Sequence, residues 1–274
     1  MHRTIKTLCL ISVASLLFAC SSNDQASLLL QEEKSVEELY NDALDTAFRE
    51  SPKAAAPKFE EVERQHPYSK WATQAQVMAA WAFYEDNQYG RAIASLDRFI
   101  ELNPAGGELT EYAYYLRALS FYEQIVNVER DAAMTRDARD AFEDLLRRYP
   151  DGLYARDSQL KLDLTRSHLA GKEMAVGRFY LEAGHYGAAI SRFSIVVRDF
   201  DTTNQVPEAL YRLIESYLSL GLSEEAMRVL QVAEFNYAQS IWTKRAIALV
   251  DDPNRPAPQG FVEGLFSKTL SVFE

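Results

Sequence analysis

The chain has 274 residues, with 29 lysines and arginines against 40 aspartates and glutamates, a net charge of −11 and 47% apolar residues. That acidic balance disfavours nucleic acid and broad adhesion to anionic lipid, because polyanions repel it. Only two cysteines, Cys9 and Cys20, are present, so a disulfide framework is excluded and stability must come from packing.

Residues 1–19 carry Arg3 and Lys6, then an apolar run from Leu8 to Phe18 that is too short to span a membrane. This is the layout of a bacterial signal peptide. Its end, Leu17-Phe18-Ala19-Cys20, resembles a lipobox, in which the cysteine sulfur is acylated and the chain is cut before it. The alternative is an ordinary secretory signal that ends in cysteine by coincidence. Two or three acyl chains on Cys20 would hold the protein on a membrane essentially permanently. Ser21 stands where an Asp would retain a lipoprotein at the inner membrane, which favours the outer one. Cleavage removes Arg3, Lys6 and Cys9, taking the net charge from −11 to −13 and leaving no free thiol. Residues 20–35 are polar and weakly patterned, suiting a flexible tether.

From 36 to 250 the apolar residues recur at helical spacing. The clearest unit runs from Gln76 to Pro104: two short amphipathic helices separated by a break at Asp86 to Gly90 and stopped by Pro104. Its packing positions are Ala80, Phe83, Ala92, Leu96, Phe99 and Pro104. Thirty-seven residues earlier Ala43, Ala55, Phe59, Val62 and Pro67 occupy five of those places, with Thr46 in the place of Phe83. Ala118, Phe121, Ala138, Phe142, Leu145 and Pro150 repeat them after an insertion of about eight residues. Gly177, Tyr180, Ala189, Phe193 and Val196 form a fourth copy, and Tyr217, Ala226, Leu230 and Ala233 a fifth. The spacing and residue choice resemble the tetratricopeptide repeat, a helix-turn-helix unit of about 34 residues. The expected fold is therefore all-α, a solenoid of about five such repeats.

In chain order, Pro52 and Pro57 predict that the second helix of the first repeat starts late, near Ala54. The charged insertion Asn127 to Arg136 reads as a solvated loop or as a protrusion facing a partner. Tyr154 to Ala170 is helical in pattern and runs on into the fourth repeat as one long helix, with Gly171 and Gly177 as points of bending. Ile241 to Val250 reads as a capping helix. Residues 251–274 contain a proline-rich linker, then Phe261, Leu265, Phe266 and Phe273, a short final helix that docks on the solenoid or meets a partner.

Catalytic chemistry finds no foothold. His66, His168 and His185 fall in no metal-ligand spacing, and no nucleophile elbow or phosphate-cradling glycine loop is present. Acidic pairs such as Glu60 with Glu61 read as solvated helix faces. No catalytic, metal or cofactor site is expected. A groove is expected instead, because the first helices of stacked pairs line a concave face. That geometry assigns Tyr40, Leu44, Val77, Trp81, Tyr84, Tyr112, Tyr115, Leu119 and Tyr122 to it, with Ala118 and Phe121 on the packing side. These rings either receive an extended peptide or pack between repeats.

Several short runs carry a closer resemblance: His66-Pro67-Tyr68-Ser69, Asp97-Arg98-Phe99-Ile100, Asn103-Pro104, Tyr112-x-Tyr114-Tyr115-Leu116-Arg117, Tyr149-Pro150, Tyr154-Ala155-x-Asp157, and Arg192 with Arg198-Asp199-Phe200. From the lipobox to about Ser240 the chain resembles the BamD family, lipoproteins of the outer-membrane β-barrel assembly (BAM) machinery. Asp201 departs from the proline usual after Phe200, and the tail beyond Val250 is no general family feature. The resemblance implies a non-enzymatic, lipid-anchored scaffold on the periplasmic face of the outer membrane. Its partners would be BamA, other BAM lipoproteins and unfolded outer-membrane proteins, with no nucleic acid. Repeats in 36–150 would receive substrates and those in 151–250 would meet BamA. Arg192 and Arg198 are the candidate BamA contacts, unless they form salt bridges within the repeat, with Asp199 or Glu182. A pilotin-like lipoprotein that escorts a secretin shares the lipobox and the repeats and remains the alternative; a cell-wall hydrolase would need a placed glutamate that the sequence does not offer.

Overall fold

A computed structural model describes residues 34–125 and 132–252, so the signal peptide, Cys20, most of the tether, the core of the insertion and the tail from 253 lie outside the described residues. Within them the chain forms eleven helices and no strand. They are α1 (Val36–Arg49), α2 (Pro52–Gln65), α3 (Lys70–Glu85), α4 (Tyr89–Leu102), α5 (Glu108–Tyr122), α6 (Ala133–Arg148), α7 (Ala155–Glu182), α8 (Tyr186–Asp199), α9 (Val206–Ser219), α10 (Ser223–Tyr237) and α11 (Ile241–Val250). Five antiparallel pairs, α1/α2 to α9/α10, stack in sequence, and α11 closes the end against α9 and α10. First helices of neighbouring pairs touch, α1 with α3 and α3 with α5, so they crowd the inner curve of the stack.

The small-large pattern read from the sequence is the core. Ala43, Ala55, Phe59, Val62, Ala80, Ala92, Leu96, Ala118, Ala138, Phe142, Leu145, Ala189, Phe193, Val196 and Ala226 are fully buried. Each alanine lets two helix axes approach, and the phenylalanine one turn away fills the space that remains. Thr46, in the place of Phe83, is buried but satisfied: its hydroxyl donates to the Asp42 carbonyl at 2.8 Å and accepts from Lys58 at 2.7 Å.

Three of the turns within pairs share one device. Asn87, Gly184 and Gly221 hold φ of 58°, 75° and 78°, the left-handed region that closes a helix C-terminus. The next amide then reaches back to the carbonyl five residues earlier: Gln88 to Phe83 at 2.8 Å, His185 to Tyr180 at 2.8 Å, Leu222 to Tyr217 at 2.9 Å. The acceptors are equivalent positions of three repeats, so backbone and side-chain periodicity coincide.

One expectation needs correction. The helix of the first repeat starts at Pro52, not near Ala54, because Ser51 caps it by accepting from the Ala54 amide and Pro52 takes the first helical position, where no donor is needed. Pro57 lies inside this helix, giving up one hydrogen bond, and its ring is exposed. The long helix forms as expected: α7 has 28 residues, about 42 Å at the α-helical rise. Gly177 serves a close contact. A Cβ there would lie 2.5 Å from the Phe193 ring, so only glycine admits α8 this close.

Candidate aromatic groove

The concave face of the N-terminal repeats is built mainly on α3, which is pressed between α1/α2 on one side and α5 on the other. Ala75, Ala79, Ala82 and Phe83 serve the first contact, Val77 and Ala80 the second. Only a narrow strip of the helix stays open, and Trp81 and Tyr84, which touch both core clusters, form it. Val77 is therefore not a groove residue: at 1% exposure it packs against Leu96, Phe99, Ala113 and Leu116.

Tyr40 is likewise core. Its ring lies 5.8 Å from Phe59 edge-on and 4.9 Å from Trp71, and burial raises its hydroxyl pKa. Leu44 is half-buried against the same cluster. One further turn along α1, Phe48 is 73% exposed with its ring 5.9 Å from Trp81. It continues the Tyr40, Leu44 spacing by four residues, a signal present in the sequence.

Beyond Tyr84 the strip continues through Tyr112 to a residue not anticipated, Tyr154, which caps the start of α7. Tyr112 lies 5.6 Å from Tyr154, and Tyr115 stacks on it at 4.5 Å with 15° between the planes. Glu111, buried on the same helix as Tyr115, accepts from the Tyr154 amide at 3.1 Å, while the Tyr115 hydroxyl donates to Asp157 at 2.7 Å. A carboxylate at a helix N-terminus opposes the positive end of the dipole, so α5 clamps the first turn of α7 with one charge and one ring. Gly152 makes room for that carboxylate, which stands where a Cβ would be. Tyr115 is accordingly a joint between repeats, not the free binding ring expected.

Tyr122 and Leu119 also pack: Tyr122 meets Phe142 edge-on at 6.1 Å with the Lys161 ammonium 5.5 Å over its ring, and Leu119 rests on the same cluster. Phe121, expected to be the packing ring, is only half-buried and lines a shallow cleft with Arg117, Asp137 and Asp144. The fully buried ring of this repeat is Phe142. The strip traced by ring contacts is thus Phe48, Trp81, Tyr84, Tyr112 and Tyr154, of which Phe48 is exposed and the others half-buried, with Tyr89 edge-on to Tyr84 at 5.6 Å.

Burial first, then the nearby Glu123 and Glu85 carboxylates, push the Tyr84 hydroxyl up to about 12 from its ordinary value near 10. Burial beside Tyr154 pushes Tyr112 to about 12, and Tyr89 and Tyr154 are also raised. These hydroxyls stay protonated at physiological pH and can donate to backbone carbonyls while their rings offer apolar faces. An extended chain needs both.

In the fourth repeat, Arg192 donates to Glu173 of α7 at 3.0 Å, a partner other than the two considered from sequence. Arg198 grips Asp199 with two hydrogen bonds of 2.6 and 2.8 Å and is 71% exposed. Among the described residues no group of His, Cys, Asp and Glu is arranged to hold a metal ion, and no helix is long and apolar enough to cross a membrane.

Comparison with known proteins agrees in kind with this architecture. The family profile described as "YfiO: Outer membrane lipoprotein" matches residues 32–232. The outer membrane protein assembly factor BamD of Caulobacter vibrioides is 43% identical over 263 residues, covering 96% of this chain and 86% of its own length. That of Rickettsia prowazekii is 43% identical over 212 residues, covering 77% and 84%, and that of Neisseria meningitidis serogroup A is 32% identical, covering 86% and 92%. On that extent of identity and coverage, this chain belongs to the BamD family of outer membrane lipoproteins.

Proposed function

We propose that this protein is a non-enzymatic scaffold of outer-membrane β-barrel assembly. Its repeats in 36–150 receive extended segments of unfolded outer-membrane proteins, and its repeats in 151–250 meet BamA and companion lipoproteins. Acyl chains on Cys20 hold it to the periplasmic face of the outer membrane. The observation that carries the substrate role is the strip Phe48, Trp81, Tyr84, Tyr112 and Tyr154, an aromatic floor with polar tips on the inner curve of a helical stack. Relatives named as outer membrane protein assembly factors support the same reading.

For the BamA side, Arg198 is the better candidate of the two arginines. Its guanidinium is exposed and its only described partner is its sequence neighbour, which a partner carboxylate can replace at small cost. Arg192 ties α8 to α7 and serves the repeat itself.

Binding of a fluorescent decapeptide, aromatic at alternate positions and ending in Phe, to the mature protein tests the groove. Phe48→Ala with Trp81→Ala is expected to weaken it about tenfold or more, since stacked rings add roughly 0.5–1.5 kcal/mol each beyond area burial. Unchanged affinity in a folded double variant overturns the assignment.

A further inference from the structure

The first helices of the pairs all run in one direction, because each is antiparallel to the second helix before it. The turns that enter first helices therefore lie on one edge of the stack. So does Ser35, whose side chain caps the start of α1 by accepting from the Glu38 amide at 3.3 Å. Contacts hold these turns in a row across the first three pairs. Glu63, near the end of α2, accepts from Arg98, near the end of α4, at 2.8 and 2.7 Å, and a Cβ on Gly106, before α5, would lie 3.3 Å from the Tyr149 hydroxyl, just past α6.

The row is apolar. Its turns, 66–69, 103–107 and 149–154, contain a single charged residue, Asp151. Tyr68 is fully exposed, Leu102 at the end of α4 is 63% exposed and Leu153 78%, and Pro67, Pro104, Ala105 and Pro150 are exposed between them. The described turns on the opposite edge of the same pairs carry Glu50, Asp86 and Glu123 and no exposed large apolar side chain. The row ends at Leu153 for a reason of length. The turn into α9 lies beside Gly171, where a Cβ would be 3.9 Å from the Gln205 side-chain nitrogen, and Gly171 is about 24 Å along α7 from its start at the α-helical rise. The later repeats are thus set back from the plane of the first three turns.

We propose that this edge is a membrane-contact surface, on which Tyr68, Leu102 and Leu153 dip into the headgroup region of the phospholipid leaflet that takes the acyl chains of Cys20. The inference rests on the lipid anchor proposed above and adds the orientation of the solenoid on the bilayer. Lipid is named as the occupant by the place where the chain enters. Only residues 20–34 separate Cys20 from the cap, so at about 3.3–3.6 Å per residue the anchor lies within about 50 Å of this edge. Alone, three side chains would hold the protein weakly; beside a bilayer to which the chain is already tied, the contact is intramolecular in effect. Tyrosine suits that boundary, its ring in the apolar layer and its hydroxyl in water. Exposed charges flanking the row have both signs, Lys70 and Arg156 against Glu101 and Glu108, so the attraction is apolar and survives salt. The helices then stand end-on to the membrane, and the repeats after α7 lie deeper in the periplasm.

The test uses the lipidated mature protein in phospholipid vesicles. With Cys20 acylated, Tyr68→Cys, Leu102→Cys, Leu153→Cys and, on the opposite edge, Glu50→Cys each offer one thiol to an environment-sensitive fluorophore. Nitroxide carried on the lipid is expected to quench the labels at 68, 102 and 153 about threefold more than the label at 50, because the first three enter the bilayer surface by about 5–10 Å. Iodide in the water quenches in the reverse order, and both orders persist in 1 M salt, where the screening length falls to about 3 Å. Flotation with the vesicles reads the anchor separately. If the protein floats and iodide reaches all four labels equally, the edge faces water and the orientation is overturned while the anchor stands. Labels at 68, 102 and 153 that are shielded from iodide yet untouched by the lipid nitroxide put protein on the edge, from this chain or a partner, and overturn it too. If the protein does not float, the anchor falls and the orientation with it.

Discussion

Gly177 shows how a single missing atom sets the spacing of a repeat. With the Phe193 ring carbons 2.5–2.9 Å from where a Cβ would stand, Gly177→Ala forces the Phe193 ring or the two helices α7 and α8 to shift. The expected loss is about 1–3 kcal/mol, measurable by urea denaturation; a variant as stable as the parent would show that Phe193 rotates away freely. Tyr84 and Tyr112 offer a second check at this scale. Their hydroxyl pKa values are raised in the fold above the ordinary value near 10, so ionisation above that pH favours the unfolded chain. What these two groups contribute is then constant below about pH 10, and stability falls as pH rises toward 12. Absorbance at 295 nm is expected to show tyrosines ionising near pH 12 in the folded protein, and fewer of them in Tyr84→Phe. Arg198, the proposed BamA contact, is the residue at which binding and folding are expected to separate. Arg198→Glu is expected to reduce co-purification with BamA while leaving the thermal midpoint unchanged, since an exposed pair adds little to stability. A large drop in midpoint with co-purification intact would mark Arg198 as structural.

At the scale of one helix, α5 carries two jobs on two faces. Ala118 and Ser120 face the core, while Glu111, Tyr112 and Tyr115 hold the start of α7 and edge the groove. The two jobs predict different losses. Phe142→Ala removes a fully buried ring against α5 and is expected to cost about 3–5 kcal/mol through the cavity it leaves. Phe48→Ala, at an open ring on α1, is expected to leave stability almost unchanged and to weaken peptide binding. Equal destabilisation in the two variants would place Phe48 in the core and remove the groove. Tyr115→Ala belongs with Phe142, because it unstacks Tyr154 and leaves Asp157 without its donor.

For the whole molecule, the solenoid and the proposed lipid anchor are expected to be separable. Among the described residues each repeat packs on its neighbours in the chain, so the repeats are expected to fold without the lipid. Cys20→Ser is expected to yield a protein with the same helical content that no longer partitions with membranes. Mass spectrometry of the parent's mature N-terminus decides the premise: a cleaved, unacylated Cys20 removes the lipid anchor from the proposal.

The sequence by itself determined the repeat. Ala80, Ala92, Leu96 and Phe99 and their equivalents could be read in advance because helix pairing demands a small residue at the closest approach and a large one a turn away, a local rule that recurs every repeat. It also supplied Trp81, Tyr84 and Tyr112, three half-buried rings of the strip. Which of the remaining aromatics are exposed was decided only in the tertiary structure. A first helix is covered from three sides by different repeats, so its helical period alone does not say that Val77 and Tyr40 are shut while Phe48 is open. Tyr154 joins the strip from 39 residues beyond Tyr115, brought there by the Glu111 clamp on α7. Partners for Arg192 and Arg198 were open for the same reason: Asp199 is a neighbour in the chain, but Glu173 becomes one only when α8 folds back on α7.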